Sequence, residues 1–505
     1  MDKNMYTFSN KLRNIAIVLM ILGLIGIVYG FLSAPKTLED VEKIVAASHH
    51  GGGHEAPARE HKSDVKNNAA SLAHKTDDSL HQATPEHAVE NDSLVKDTTA
   101  HAATPSEEHH AESAATEHKE PAGHKVDKHA DHQKHLNHVL HQLQNKPWAA
   151  LYVACIFFLL ITMGVLAFYA IQQVAQAGWS PVLFRVMQGI TSFLPIISII
   201  FFILLLCSGF HINHLFIWMA EGTTTPGHEN YDALITAKSG YLNFAFWISR
   251  AALFLLGWNL YRYLSRKNCL AQDEASDDTF YKKNFKMSAA FLVFFIVSES
   301  IMAWDWIMSV DPHRFSTLFG WYVFASFFVS GITTISMVTL YLKSKGYLEH
   351  VNSSHIHDLS KFMFGISVFW TYLWFSQFML IWYANIPEEV TYFVTRIEHY
   401  NLPFFGAVVL NFVFPILVLI NTDFKRIAPI IVATGIVILF GHYIDFFNMI
   451  MPATVGDQWF IGVSEIASLL FFLGLFIYVV FSALTKAPLT PKRNPFIEES
   501  KHFHY

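Results

Sequence analysis

The chain has 505 residues, of which 52% are hydrophobic and 15% aromatic, and its formal net charge is -6. Only 15% of the residues are charged, whereas soluble domains average about a quarter. This composition excludes an ordinary soluble protein, and nothing in the charge pattern indicates a nucleic-acid partner. It predicts an all-α integral membrane protein surrounded by membrane lipid.

The three cysteines, Cys155, Cys207 and Cys269, lie far apart in the sequence. The chain has no C-x-x-C, no C-x-x-C-H and no run of four cysteines, so it lacks the usual ligand patterns for an iron–sulfur cluster or a covalently attached haem. We therefore predict that this chain binds no redox cofactor and no metal. If it belongs to an electron-transfer system, we expect the redox centres on other subunits.

The first segment, residues 1–33, contains an apolar stretch from Asn14 to Leu32 that follows Lys11 and Arg13. This stretch is longer than the apolar core of a secretory signal and has no small-residue cleavage motif after it. It therefore predicts a transmembrane helix that is not cleaved.

The second segment, residues 34–146, has no Phe, Trp or Tyr and holds 17 of the 28 histidines. It buries too little apolar surface to offset its ordering entropy, so we expect most of it to be disordered. Its histidines indicate either loose metal binding and pH sensing or a solvated low-complexity loop. We favour the loop, because a metal site needs a few ligands in fixed geometry. The histidines nearest the next span recur every three residues and predict a helical extension: His129, His132, His135, His138 and His141.

The third segment, residues 147–486, contains nine further apolar stretches, each long enough to cross about 30 Å of hydrocarbon. They are Trp148–Val174, Phe193–Met219, Tyr241–Leu264, Phe285–Val310, Leu318–Leu342, Ile356–Ala384, Leu402–Ile420, Ile427–Met451 and Trp459–Leu484. With the first stretch they predict about ten transmembrane helices, followed by a tail of residues 487–505. Lys and Arg residues concentrate on one side of these ten spans, which predicts that both termini are cytoplasmic and the His-rich loop is periplasmic.

Several ionisable side chains fall within the predicted spans or at their ends, mostly nearer the periplasmic side. Charged groups at membrane depth usually face the protein interior or water and mark functional sites. We predict a proton path from Glu299, Asp305, Asp311, His442, Asp445 and Glu465. Arg250 needs a carboxylate partner at its depth, and Glu299 and Asp305 are the candidates. A weaker polar feature on the cytoplasmic side is a hydroxyl stripe of Ser326, Ser330, Thr333 and Thr334.

These residues also allow other interpretations. The carboxylates on the fifth span could form a structural ion pair, and His211 and His214 could lie in interfacial water at the end of the third span. A second functional hypothesis is a quinol site, in which His211, His214 or His442 binds a quinol oxygen, Asp305 takes the proton, and two indoles flank the ring. Those indoles are Trp304 and Trp306. A third is a secondary transporter, in which these ionisable residues line an outward-facing polar cavity.

Three aromatic-rich strings carry a family resemblance. They are WDWIMSVDPHRFSTLFGWYVF (Trp304–Phe324), HDLSKFMFGISVFWTYLWFSQFMLIWYANIPEEV (His357–Val390) and GHYIDFFNMIMPA (Gly441–Ala453). They resemble the ActF family, the second of two NrfD-like membrane subunits in bacterial alternative complex III, a quinol:cytochrome c oxidoreductase. The resemblance covers residues 146–486 and leaves out the His-rich loop.

The resemblance implies an NrfD-like pair of four-helix bundles with peripheral helices, in the bacterial inner (cytoplasmic) membrane. It implies partner subunits that carry haem c and iron–sulfur clusters: a multihaem and a monohaem cytochrome c, an iron–sulfur subunit and another NrfD-like subunit. A terminal oxidase is a further candidate partner. Menaquinol or another quinol would be the substrate of the complex. By residue, the resemblance extends to the segment with Glu299, Asp305 and Asp311, and to His442 with Asp445.

Overall fold

The computed structural model of the protein describes residues 4–43 and 128–504. Within these residues the regular secondary structure is helical throughout, and nine helices are long and apolar enough to cross a membrane. The chain is therefore a multi-pass all-α integral membrane protein, as its composition predicts. Residues 44–127, which include most of the His-rich segment, lie outside the described residues, so the predicted disorder there stays a prediction.

Ten long helices make up the described fold. They are α1 (Asn10–Ser33), α2 (Lys128–Val174), α3 (Pro181–Gly209), α4 (Phe244–Gln272), α5 (Thr279–Trp306), α6 (Leu318–Ser344), α7 (Ser353–Ala384), α8 (Asn401–Leu419), α9 (Ala428–Val455) and α10 (Val463–Leu484). Helix α4 is less apolar than the others because it carries four basic residues, but its 29 residues span about 43 Å, enough to cross. Short helices cover Ala233–Ala237, Pro387–Glu398 and Ile497–Lys501.

The two ends of the helix bundle are held by different connecting segments. At one end, here called the tail face, Leu489 N donates to Asn4 O at 2.8 Å, and Asn352 Nδ2 donates to Phe503 O at 2.5 Å. The residues near both termini thus lie on the same face. At the opposite end, here called the loop face, Lys146 Nζ donates to Phe460 O at 2.9 Å.

Two predicted boundaries differ from the structure. Helix α2 begins at Lys128, which confirms the helical extension predicted from the histidine spacing and places the boundary at residue 146 inside a helix. Helix α3 begins at Pro181 and ends at Gly209, so the predicted span Phe193–Met219 starts and finishes too late. The helix stops there because His211 takes a left-handed conformation with φ of 56°, a common way to close a helix end.

Helices α2 and α6 form the centre of the fold, and glycines let them approach closely. A Cβ atom on Gly164 would lie 2.5 Å from Phe327 O, and one on Gly331 would lie 2.8 Å from Val165 N. Small residues at such crossings allow helix backbones to pack in membranes, where dispersion contacts stabilise association. The crossing therefore depends on the absence of side chains at these two positions.

Helix α1 packs at the edge of the fold against α10. A Cβ atom on Gly23 would lie 2.5 Å from Phe471 N, and one on Gly474 would lie 2.6 Å from Ala16 O. Most other side chains of α1 are exposed within the described structure. The contact between α1 and α10 is thus what holds the first helix to the rest.

Replacing Gly23 with leucine should separate α1 from α10, because the new side chain meets backbone that cannot move aside. Overpacking of this kind typically costs about 1–3 kcal/mol. We expect the detergent-solubilised variant to lose its monodisperse profile at a lower temperature than the parent. The matched control is Gly406→Leu, since a Cβ on Gly406 meets nothing within 4 Å. Equal thermal profiles for both variants would contradict this account of α1.

Candidate functional site

Asp445, on α9, is the centre of a buried hydrogen-bonded cluster that joins three helices. Its Oδ1 accepts a short hydrogen bond from the Tyr322 hydroxyl of α6. Its Oδ2 accepts from Trp370 Nε1 of α7 at 2.8 Å and from Ser326 Oγ of α6 at 2.9 Å. The side chains of all four residues are at most 5% exposed. A carboxylate at this depth is thus held entirely by donors of the protein.

His442 extends this cluster by one step. Its Nδ1 lies 2.9 Å from Ser326 Oγ and 3.8 Å from Asp445 Oδ2, so the serine hydroxyl bridges the two side chains. With the hydroxyl proton directed at Asp445, Ser326 accepts from His442 Nδ1–H, and the proton-free nitrogen is Nε2. This Nε2 is buried and has no hydrogen-bond partner within the described structure. The three groups form a relay that ends at His442 Nε2, and this nitrogen can accept a proton.

The sequence places these residues together for simple reasons. His442 and Asp445 are three residues apart on α9, and Tyr322 and Ser326 are four apart on α6, so each pair shares one helix face. The sequence predicts His442 and Asp445 as members of a proton path and Ser326 as part of the hydroxyl stripe, but it does not predict Tyr322 or Trp370 at the site. Their signal was the polar group on an otherwise apolar ring, since buried Tyr and Trp usually find a hydrogen-bond partner.

Two buried arginines lie between this cluster and the loop face. Arg314 and Arg396 both stack on the ring of Tyr392, with guanidinium carbons 3.5 Å and 3.3 Å from its centre. A cavity of about 10 Å³, room for roughly one water, is lined by both arginines and by Asp445. Among the described residues no carboxylate forms an ion pair with either arginine. Burial lowers the pKa of Arg396, which lies outside the membrane spans.

The predicted hydroxyl stripe on α6 runs from the cluster toward the tail face. Its four predicted members are buried, and so are Ser336 and Thr339 further along the helix. Ser330 and Thr334 donate to backbone carbonyls one turn earlier, at 2.8 Å each. Three hydroxyls have no partner in the described part of the chain: Thr333, Ser336 and Thr339. From Ser326 to Thr334 the stripe covers about 12 Å of helix, and Thr339 lies on another face of α6.

Arg250 pairs with Asp305 rather than with Glu299. Its Nε donates to Asp305 Oδ2 at 2.6 Å and its Nη2 to Oδ1 at 2.9 Å, a two-point contact that is itself buried. The guanidinium also stacks 4.0 Å from the centre of the Tyr241 ring. Burial and then the charge of Asp305 raise the pKa of the Tyr241 hydroxyl. Asp305 is therefore held in a buried ion pair.

The remaining carboxylates of the predicted proton path lie apart from Asp445. Glu299 is 4% exposed, accepts from Ser300 Oγ at 3.2 Å, and has a buried Oε1 without a partner in the described residues. Glu465 accepts from Gly462 N at 2.8 Å at the start of its own helix. Asp311 lies in the connection between α5 and α6, with its Oδ1 4.0 Å from His313 Nδ1. No hydrogen bond or ion pair of the described chain joins these three to one another.

The residues of the predicted quinol site are likewise dispersed. His211 and His214 lie beyond the end of α3, exposed on the loop face, so their predicted place within a span is wrong. Burial, followed by the charges of His141 and His211, lowers the pKa of His214. The Trp306 ring is fully buried, and its centre lies 4.8 Å from the centre of the Phe201 ring. It therefore belongs to the core.

Two separate openings are lined by predicted quinol residues: His211 and His214 line a cavity of about 860 Å³ at the loop face, and Trp304 faces another opening. Trp304 lines a cleft of about 520 Å³ near the loop face, together with Met308, Leu318, Gln377 and Ile381.

In the described part of the chain, no group of three or more His, Cys, Asp or Glu side chains is arranged to hold a metal ion.

No model of a known protein family matches the chain, and a search of curated proteins finds no significant relative. The predicted membership of the alternative complex III family therefore stays a prediction.

Proposed function

We propose that this chain is a membrane subunit of a quinol:cytochrome c oxidoreductase of the alternative complex III kind, and that it carries protons rather than electrons. Haem c and iron–sulfur clusters would then belong to partner subunits, and menaquinol or another quinol would be the substrate of the complex. The chain would support quinol oxidation as part of this assembly without a redox cofactor of its own.

The observation that carries this proposal is the relay of His442, Ser326 and Asp445. Oxidation of a quinol releases two protons, and titratable groups at membrane depth can accept and pass them on. Asp445 lies ten residues from the loop-face end of α9, about 15 Å by helical rise. The single-water cavity connects it toward Arg314 on the loop side, and the hydroxyl stripe of α6 leads away toward the tail face.

The orientation of the chain follows from its charges. The tail face carries the clustered basic residues of the α4–α5 connection and of the segments after α6, α8 and α10. Such residues concentrate on the cytoplasmic side of bacterial membrane proteins. We therefore propose that the tail face and both termini are cytoplasmic, and that the loop face is periplasmic, in the bacterial inner membrane.

One observation favours a second candidate, a quinol site within this chain. The cleft beside Trp304 has the volume and the mostly apolar lining of a small-molecule site. Gln377 lies at this cleft and also accepts from Arg314 Nη2 at 2.8 Å, so it joins the cleft to the cavity next to Asp445. A quinol bound there would have a polar contact on the side of the relay.

Purification of the tagged chain after mild extraction tests the proposed complex. We expect c-type haem to co-purify in fixed ratio and to appear in a reduced-minus-oxidised spectrum. Quinone extracted with the chain, and lost when Trp304 is replaced by leucine, would support the second candidate. A stable preparation of the chain alone, free of haem, would contradict the proposal and favour a secondary transporter.

A further inference from the structure

A groove on the surface of the membrane domain runs between α3 and α4. Its volume is about 500 Å³, and its lining is mostly aliphatic, with Ile199 and Leu256 63% and 70% exposed. Asn259 Nδ2 donates to Ser198 Oγ at 3.0 Å across the base of the groove and so joins the two helices. The groove is thus open and apolar, and a hydrogen bond at its base holds its two helices together.

The end of this groove nearer the tail face carries an unpaired positive charge. Arg262 lines the groove, and its Nε is buried without a hydrogen-bond partner in the described structure. Arg266, one turn further along α4, adds a second positive charge that repels it. No ion pair with a carboxylate is formed by either arginine among the residues described. A partly buried guanidinium that has no counter-ion calls for an anion.

The length of the groove suits one leaflet of a bilayer. From Ala252 to Arg262 the helix rises about 15 Å, half of the roughly 30 Å of hydrocarbon in a membrane. An acyl chain that lies along Ile199 and Leu256 would therefore bring its headgroup to the level of Arg262. Basic pockets between transmembrane helices on the cytoplasmic side are known to hold anionic lipid headgroups.

We propose that this groove binds an anionic phospholipid, with one acyl chain between α3 and α4 and its phosphate on Arg262. The site is separate from the relay around Asp445 and does not depend on the proposed function. The bound lipid would hold α4, the least apolar of the ten helices, against α3 at the end of α4 that carries Arg262.

Lipid binding to the full-length chain, purified with the subunits that accompany it, tests this site. After delipidation, native mass spectrometry with phosphatidylglycerol and with phosphatidylcholine should show a preference for phosphatidylglycerol. We expect Arg262→Gln to weaken phosphatidylglycerol binding about tenfold, the loss of one charge-assisted contact. Arg262→Lys should retain most of the binding. The matched control is Lys345→Gln, which removes an exposed positive charge elsewhere on the tail face and should change nothing.

A second variant tests the apolar part of the groove. Leu256→Trp fills it and should reduce binding of phosphatidylglycerol even with Arg262 intact, so the test does not depend on whether Arg262→Gln folds. Equal binding of the two lipids, or unchanged binding in the Leu256→Trp variant, would overturn the proposal. Cross-linking of Ile199→Cys to a partner subunit in the native membrane would overturn it as well, because a protein would then occupy the groove.

Discussion

Replacing Arg250 with glutamine is expected to remove most folded protein from the membrane. The change leaves Asp305, which is 0% exposed, without its two charged donors in a low-dielectric interior. Removal of one partner of a buried ion pair typically costs about 3–5 kcal/mol. Such a loss is comparable to the whole stability of many proteins. Fluorescence-detected size exclusion of the tagged chain should therefore show little monodisperse protein.

A double variant separates the ion pair from other roles of Arg250. Replacing both partners together, as Arg250→Met with Asp305→Leu, removes the unpaired charge and should restore much of the folded yield. The control for loss of a positive charge is Arg493→Gln, at an exposed residue of the C-terminal tail. Equal amounts of folded protein from Arg250→Gln and Arg493→Gln would show that the ion pair with Arg250 does not stabilise the fold. Asp305 would then be a candidate for the proton path again.

Replacing Gly331 with leucine should be as damaging, because it forces apart the two central helices. The new side chain would start 2.8 Å from Val165 N and 2.9 Å from Gly164 C, both backbone atoms of α2. A leucine has no space to turn into, since its surroundings on α6 are buried. We expect a loss of stability of at least about 3 kcal/mol, the upper end of the range for overpacked cores.

The yield and thermal stability of the solubilised protein measure this effect. Gly365→Leu is the matched control, because Gly365 also lies in a long helix but a Cβ there meets nothing within 4 Å. We expect the control to behave like the parent. A Gly331→Leu protein as stable as the control would mean that α2 and α6 do not cross at these glycines.

Much of the fold could be predicted from the sequence because each span is marked by its own apolar residues. The exception was the start of α3, where polar residues precede the apolar run. Arg185 is buried there and forms an ion pair with Asp273 at the end of α4. A distant partner of this kind leaves no local signal, so the sequence pattern predicts a loop where α3 has its polar first turns.

The site shows the same limit. His442 and Asp445 could be recognised because three residues along one helix place both on one face. Tyr322 and Trp370 come from other helices, and the sequence does not show which faces meet. Arg250 was expected to pair with Glu299 or Asp305, since an unpaired guanidinium is costly at that depth. The choice between the two carboxylates depends on the rotation of α5 against α4, which only the structure gives.

The most direct test of the proton path compares Asp445→Asn with Asp445→Glu in the purified complex, reconstituted in vesicles. Asparagine can keep hydrogen bonds to its neighbours but cannot bind and release a proton, whereas glutamate retains the titratable group. With the haem content unchanged, we predict that Asp445→Asn lowers quinol-driven proton release and turnover at least about tenfold, the scale of loss for a group that transfers protons. Asp445→Glu should keep a substantial part of both. Wild-type proton release and turnover in Asp445→Asn would show that the buried cluster is structural and would contradict the proposed path.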